Sequence, residues 1–190
     1  MFDMEKARQE LETMISGLYA GERKLLVFGE GPRNARVMLI GEAPGEKESL
    51  EGRPFVGKAG QNLNTFLEVS GLTRQDMYVT NVVKFRPTRV SAAGRASNRP
   101  PTKEEIRLFL PFLKKEISDI RPQWIVTLGN VPLQALLGPR ETIGAAHGMA
   151  RPWEGHMLYP MYHPASVIYN PALRDTYQSD MLRFSELIHT

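Results

Sequence analysis

The sequence predicts an α/β protein: a three-layer α/β/α sandwich around a central, mostly parallel, four-stranded sheet. Two observations carry this. Short apolar runs alternate with longer stretches of helical periodicity along the chain, the pattern of βαβ units. The strand runs are apolar or β-branched, as expected of a sheet covered on both faces.

The elements follow in order. Met4, Ala7, Leu11, Met14, Ile15 and Leu18 recur at helical spacing, so residues 3–19 are expected to form an amphipathic helix that stops at Gly21. Residues 36–40 are a short apolar run that leads into Gly41-Glu42-Ala43-Pro44-Gly45, a buried strand followed by a loop. Residues 60–69 read as a helix stopped at Gly71, and residues 77–83 as a second strand. Residues 86–102 form a long polar segment with Pro, Gly, Ser and Asn. Ile106, Phe109, Leu110, Leu113, Ile117 and Ile120 mark a helical stripe, which Pro111 is expected to kink. Residues 124–128 read as a third strand, 131–137 as a short helix, 157–161 as a fourth strand and 174–188 as a last helix.

Composition bounds the function. A chain of 190 residues fits one domain, residues 1–190. Apolar residues make up 42% and charged residues 24%, which is ordinary for a globular core. The absence of cysteine excludes disulfide scaffolds and every metal site that needs thiolates. Lys and Arg total 24 against 21 for Asp and Glu, a net charge of +3, too small by itself to prove a nucleic-acid partner. No apolar run reaches the length of a membrane span. Asp3, Glu5, Lys6 and Arg8 leave no room for a signal-peptide core at the N-terminus, so a cytoplasmic protein without membrane contact is expected.

In a parallel sheet, ligands bind at the carboxyl ends of the strands. Three polar stretches follow such ends: Gly41–Gly45, the chain from Asn81 onward, and His163-Pro164. Glu42 sits in a tight turn that lets a ligand approach the backbone; the plain alternative is a structural turn with a solvated carboxylate. Phe55, within Arg53-Pro54-Phe55-Val56-Gly57, reads either as a hydrophobic staple before a helix or as a platform for a flat ring. The glycines 57–60 at that helix start also suit an anion. Asn81 either caps the strand end or offers a donor and an acceptor side by side to a nucleobase edge. His163 is open in the same way. His147, His156 and His189 read as structural or exposed, with no metal-ligand spacing.

Taken together, these motifs resemble the uracil-DNA glycosylase superfamily, and most closely its family-4 bacterial and archaeal enzymes. The matching segments are Phe28-Gly29-Glu30-Gly31, Gly41-Glu42-Ala43-Pro44-Gly45-Glu46 and Gly52-Arg53-Pro54-Phe55-Val56-Gly57. They continue through Asn81-Val82-Val83-Lys84, Thr127-Leu128-Gly129 and Tyr162-His163-Pro164-Ala165. They occur in family order over nearly the whole chain, and the ordered set is specific where each motif alone is weak.

The resemblance implies a monofunctional, metal-free enzyme that hydrolyses the N-glycosidic bond of uracil in DNA, and implies the roles of its residues. Phe55 stacks on the extrahelical uracil. Asn81 donates to O4 and accepts from N3–H, a pattern that cytosine reverses. His163 donates to O2, where negative charge grows as the bond breaks. Glu42 holds the attacking water or stabilises the cationic sugar. Gly41 and Ala43 line the pocket, and Glu48 lies near uracil C5, where it excludes thymine. Apart from the resemblance, Arg89, Arg95 and Arg99 read either as part of a solvated loop or as phosphate contacts beside the pocket, and with Ser166 they are counted as contacts to DNA. The partner is uracil-containing DNA and the expected state is a monomer.

Three departures from the family pattern stand out. Family-4 enzymes bind an iron–sulfur cluster through four cysteines, and the ligand positions here hold Met14, Gly17, Phe85 and Phe109, so no cofactor is expected. Met14, Phe85 and Phe109 are expected to meet as a hydrophobic plug, with Gly17 allowing close approach of the first helix. The segment 88–101 is longer than in family 4. It resembles the loop of a branch that captures uracil-DNA through a histidine, but Asn98 stands at that position. Tyr169 replaces a frequent arginine after His-Pro. A non-catalytic module that binds uracil or single-stranded DNA is the alternative, as is a glycosylase for another deaminated base. The intact set of Glu42, Phe55, Asn81 and His163 favours an enzyme over the non-catalytic module, because a decayed site should have lost some of them.

Overall fold

The computed structural model describes residues 4–190; Asp3, the first residue of the expected N-terminal helix, lies outside them. Helix α1 (Met4–Leu18) leads to strand β1 (Val37–Gly41), two helices α2 (Glu46–Glu51) and α3 (Lys58–Ser70), and strand β2 (Met77–Asn81). A small hairpin, β3 (Thr88–Val90) and β4 (Ala96–Asn98), precedes α4 (Lys103–Ile120), β5 (Trp124–Leu128), α5 (Asn130–Leu137) and α6 (Ile143–Ala146). The chain ends with β6 (Arg151–Trp153), β7 (His156–Met161), α7 (Pro164–Tyr169) and α8 (Arg174–His189).

The sheet has the order β2-β1-β5-β7-β6. The first four strands are parallel, and these are the four strands expected from the sequence. The fifth, β6, is an antiparallel edge strand. It escapes a reading of apolar runs because Arg151-Pro152-Trp153 is short and polar, and Pro152 is tolerated only at such an edge. The hairpin β3–β4 is exposed as well.

Alternation along each strand builds the three layers. Met38 and Ile40 face a core with Leu11 and Ile15 of α1 and Phe109, Leu113 and Ile117 of α4. Val37 and Leu39 face the other core, with Leu63 and Phe66 of α3 and Met181 and Phe184 of α8. Helix α4 starts with a reciprocal cap between Thr102 and Glu105 and runs on through Pro111 without ending. Pro111 does not end the helix, which is held by its buried face more than by any one hydrogen bond.

The Phe28-Gly29-Glu30-Gly31 segment is a strap on the outer edge of β2. Glu30 exchanges backbone hydrogen bonds with Val79 at 2.9 and 2.8 Å. A side chain at Gly31 would lie 2.7 Å from Tyr78 Cα, so only glycine lets this strap close on the strand. Inside β2, Lys84 and Glu116 form an ion pair with both side chains fully buried, Nζ to Oε2 2.5 Å. Lys84 also donates to Thr80 Oγ1 and to the Asn81 carbonyl, each at 2.7 Å. Burial pushes the Lys84 ammonium below its ordinary pKa, and the Glu116 carboxylate pulls it back.

The expected plug forms in part. Phe85 and Phe109 meet edge to face at 5.4 Å. Met14 does not join them: it is 40% exposed. The buried face of α1 is Met4, Ala7, Leu11 and Ile15; at about 100° per step Met14 falls at the edge of that face, about 20° from Ala7, and stays exposed there. Tyr19, beyond the helix end, supplies the third ring, edge-on to Phe85 at 5.3 Å. Lys24 lies over both rings, at 5.0 and 5.2 Å. Gly17 allows no close approach, since nothing stands within 4 Å of where its Cβ would be. The residues at the four family ligand positions offer no thiolate, and two of them are packed rings; they do not fit a thiolate-bound cluster.

Removing the central ring tests the plug. Phe109→Ala should lower unfolding stability by about 3–5 kcal/mol, whereas Met14→Ala should change it by no more than about 0.5 kcal/mol. Urea unfolding of both variants checks this, and equal losses would contradict the packing described.

Candidate active site

The chain runs from β1 outward to β2 and returns to β5 on the other flank of β1. That reversal opens a crevice at the carboxyl ends of the central strands. Gly41 at the end of β1 is in register with Asn81 at the end of β2. Leu128 at the end of β5 is in register with Met161 at the end of β7. Glu42 therefore stands just past β1 and His163 just past β7. With β5 between them, the two strand ends are about 10 Å apart.

Asn81, Phe55 and Gly41 are brought into contact. A Cβ on Gly41 would lie 2.6 Å from Phe55 Cζ and would overlap the Asn81 amide oxygen. The missing side chain at Gly41 thus lets the ring and the amide sit side by side. Both are buried. Phe55 takes φ +54°, the left-handed region that a non-glycine residue rarely enters, at a cost of about 1–3 kcal/mol. Three neighbours accommodate it. Arg74 donates to the Pro54 carbonyl at 3.4 Å and to the Phe55 carbonyl. Glu48 Oε1 accepts from the Val56 and Gly57 amides at 3.1 and 2.8 Å. A Cβ at Gly60 would overlap the Phe55 carbonyl.

Glu48, expected beside the C5 edge of a base, thus turns its carboxylate to the backbone of the Phe55 loop. The anion anticipated at the start of α3 is the chain's own. Ala43 packs against the core shared by α1 and α4.

His163 caps α7. Its Nδ1 accepts from the Ala165 amide at 3.1 Å. An accepting Nδ1 is unprotonated, so the neutral ring carries its proton on Nε2. Burial lowers the pKa of His163 and favours that neutral form. Gly129 makes room for it: a side chain there would press on His163 Cβ at 3.3 Å. Burial has the opposite effect on Glu42, raising its carboxyl above the ordinary value. The crevice therefore sets a neutral N–H donor across from a partly desolvated carboxylate. That pair can stabilise a departing anion on one side and a cation or a polarised water on the other.

The basic segment after β2 divides. Arg89 and Arg95 are exposed on the hairpin, their side chains free of acidic partners among the described residues. Arg99 is engaged: it makes two hydrogen bonds of 2.7 Å to Glu105, the capping residue of α4, and a third to the Thr88 carbonyl. Its expected role as a DNA contact gives way to fastening the hairpin to α4. Asn98 accepts from Arg86 at 2.6 Å and lies beside Gly45 of the Glu42 turn. Ser166 is half-buried one turn into α7, and Tyr169 is exposed at its end. The other histidines are tied structurally: His147 to Asp180, His156 to the Pro122 carbonyl and His189 to the Ser70 carbonyl. A cleft of about 550 Å³ lined by Arg121, Trp153 and His156 lies at the amino ends of β5 and β7, away from this crevice.

Two contributors were not visible as such in the sequence. Arg74 sits in a polar turn and carries no motif. Lys84 had a signal, a charge directly after the apolar Val82-Val83, but its partner Glu116 is 32 residues away.

A family model described as the uracil DNA glycosylase superfamily matches residues 28–184. The type-4 uracil-DNA glycosylase of Saccharolobus solfataricus is 39% identical over 175 residues, covering 87% of this chain and 77% of that one. The type-4 enzyme of Pyrobaculum aerophilum is 40% identical over 172 residues, covering 85% and 83%. Among solved structures, wild-type Pedobacter heparinus SMUG2 superimposes with a TM-score of 0.53 at 14% identity, over 95% of this chain and 83% of that one, a likeness of fold.

The tautomer of His163 is directly measurable. Nitrogen-15 NMR of the imidazoles should show His163 as the Nε2–H form at neutral pH, with a titration midpoint below 6.5. A protonated Nδ1, or a midpoint above that value, would contradict the geometry.

Proposed function

The chain belongs to the uracil DNA glycosylase superfamily, and we propose that the crevice past β1 and β7 is where it breaks the N-glycosidic bond of uracil in DNA. It acts as a uracil-DNA glycosylase, a hydrolase of N-glycosyl bonds. The arrangement of His163 supports this best. A neutral imidazole whose Nδ1 is already taken by the Ala165 amide has one group left, the Nε2–H donor.

In this reading the target nucleotide leaves the base stack and its uracil slides against Phe55. Asn81 reads the base, its NH₂ on O4 and its amide oxygen on N3–H. As the bond to C1′ breaks, electrons move onto the base and O2 becomes anionic. The Nε2–H of His163 donates to that oxygen without giving up its proton. Glu42, on the sugar side, stabilises the oxocarbenium-like sugar and orients the water that adds at C1′. No step calls on a cofactor, and the enzyme is proposed to work without the cluster of its family-4 relatives. Arg89 and Arg95 on the hairpin, with Ser166 on α7, contact the DNA backbone. The chain is proposed to act as one domain, a cytoplasmic monomer; no helix among the described residues is long and apolar enough to cross a membrane.

The direct experiment is alkaline cleavage of a labelled uracil oligonucleotide after incubation with the protein. The wild type should leave alkali-sensitive breaks at uracil. His163→Ala should lose about 100- to 1000-fold in rate, the usual effect of removing one donor to a developing anion. Glu42→Ala should lose most turnover, and Asn81→Asp should weaken discrimination against cytosine. Wild-type rates in both alanine variants would show that these residues do not carry the chemistry.

The hairpin is tested by salt. Replacing Arg89 and Arg95 together with Ser should weaken DNA binding and reduce the slope of log affinity against log salt by about 0.7–0.9 per lost contact. Fluorescence anisotropy at several salt concentrations measures it, and an unchanged slope would remove the hairpin from the DNA-binding surface.

A further inference from the structure

The Phe55–Val56 peptide is held at both ends by opposite charges. Its carbonyl oxygen receives the Arg74 guanidinium, and its N–H is taken by Glu48 Oε1 at 3.1 Å. A cation on the oxygen and an anion on the N–H match the peptide dipole, so the plane of this one peptide is fixed from both sides. Rotation of that plane would change ψ of Phe55, and Arg74 also donates at 3.4 Å to the Pro54 carbonyl, on the peptide that sets the φ of +54° at Phe55. Gly60 closes the third side, since any side chain there would collide with the same carbonyl. Glu48 is buried, and Arg74 reaches the loop from a cleft of about 410 Å³ shared with Glu30 and Arg53. Glu30 and Arg53 pair with each other at 2.6 Å, which leaves Arg74 to the loop carbonyls.

We propose that Arg74 and Glu48 are positioning residues that clamp the Phe55–Val56 peptide and so hold the Phe55 ring beside Asn81. The clamp rests on the reading of Phe55 as the surface on which uracil stacks. Neither residue touches the base; both act through the backbone that carries the ring. Arg74 lies in the turn leading into β2, the strand that ends in Asn81. One segment, residues 74–81, therefore sets the ring and the amide in the same frame.

A double-mutant cycle tests this. Uracil excision from a single-stranded oligonucleotide is measured for the wild type, Arg74→Gln, Phe55→Ala and the double variant. Loss of base–aromatic stacking corresponds to about 5- to 100-fold. Arg74→Gln should lower kcat/KM at least about fivefold when Phe55 is present, and less than about twofold when Phe55 is already Ala. Equal losses in both backgrounds, or no loss in either, overturn the clamp. The cycle is repeated with Arg74→Lys, which keeps a cationic donor and guards against misfolding of the Gln variant. The same dependence on Phe55 supports the clamp, and independence overturns it. Wild-type turnover in the same assay tests the uracil reading separately. Amide hydrogen exchange at Val56, read by NMR without DNA, should speed up in Arg74→Gln; unchanged protection overturns the clamp.

Discussion

The site depends on the buried pair of Lys84 and Glu116. Two full charges taken out of water lose solvation worth several kcal/mol each, which their attraction repays only when every remaining donor and acceptor is satisfied. Here they are: Lys84 spends its three protons on Glu116, Thr80 and the Asn81 carbonyl, and Glu116 also accepts from Tyr78 and Thr80. Such a pair adds little net stability over an apolar one. What it supplies is a fixed geometry. It ties the end of β2 to α4, and with that end the backbone of Asn81. The next residue, Phe85, fills the space between α1 and α4, and Arg86 reaches the hairpin through Asn98. A few consecutive residues thus anchor the end of β2, the aromatic plug and the hairpin.

Around this anchor, the site gains its polarity from burial. Enclosure lowers His163 and raises Glu42, two shifts of opposite sign from one cause. Each shift works against the charged form of its group. A neutral donor suits a base that departs as an anion, since the donor need not transfer its proton. A carboxylate with little water around it acts more strongly on a positive sugar than one in solvent. The Ala165 amide decides which imidazole nitrogen carries the proton, so the cap of α7 and the proposed catalytic tautomer are the same hydrogen bond.

The plug shows how one structural task can be met by different chemistry. The resemblance to family 4 implies that a cluster held by thiolates does this task in those enzymes. This chain brings the corresponding segments together with Tyr19, Phe85 and Phe109, in edge-to-face contact and capped by Lys24. Aromatic pairs supply both contact area and a preferred angle, which suits a gap between elements that are not parallel.

The sequence by itself determined the layers and the strand ends. Apolar runs such as residues 124–128 must be buried on both faces, and a parallel sheet sends their carboxyl ends to one edge. Glu42, Asn81 and His163 follow directly from that rule, because each lies within two residues of a strand end. Helical spacing placed Phe109 inward for the same local reason. Spacing was too coarse for Met14, which stands at the edge of the buried face of α1, beside Ala7, and stays exposed. The edge strand β6 and the hairpin β3–β4 were hidden because exposed strands need no apolar pattern. Only the tertiary structure decided what Glu48, Arg74, Arg99 and Glu116 do. Their charges are satisfied by groups distant in the chain or by backbone amides, and a charge carries no mark in the sequence of the partner it will meet.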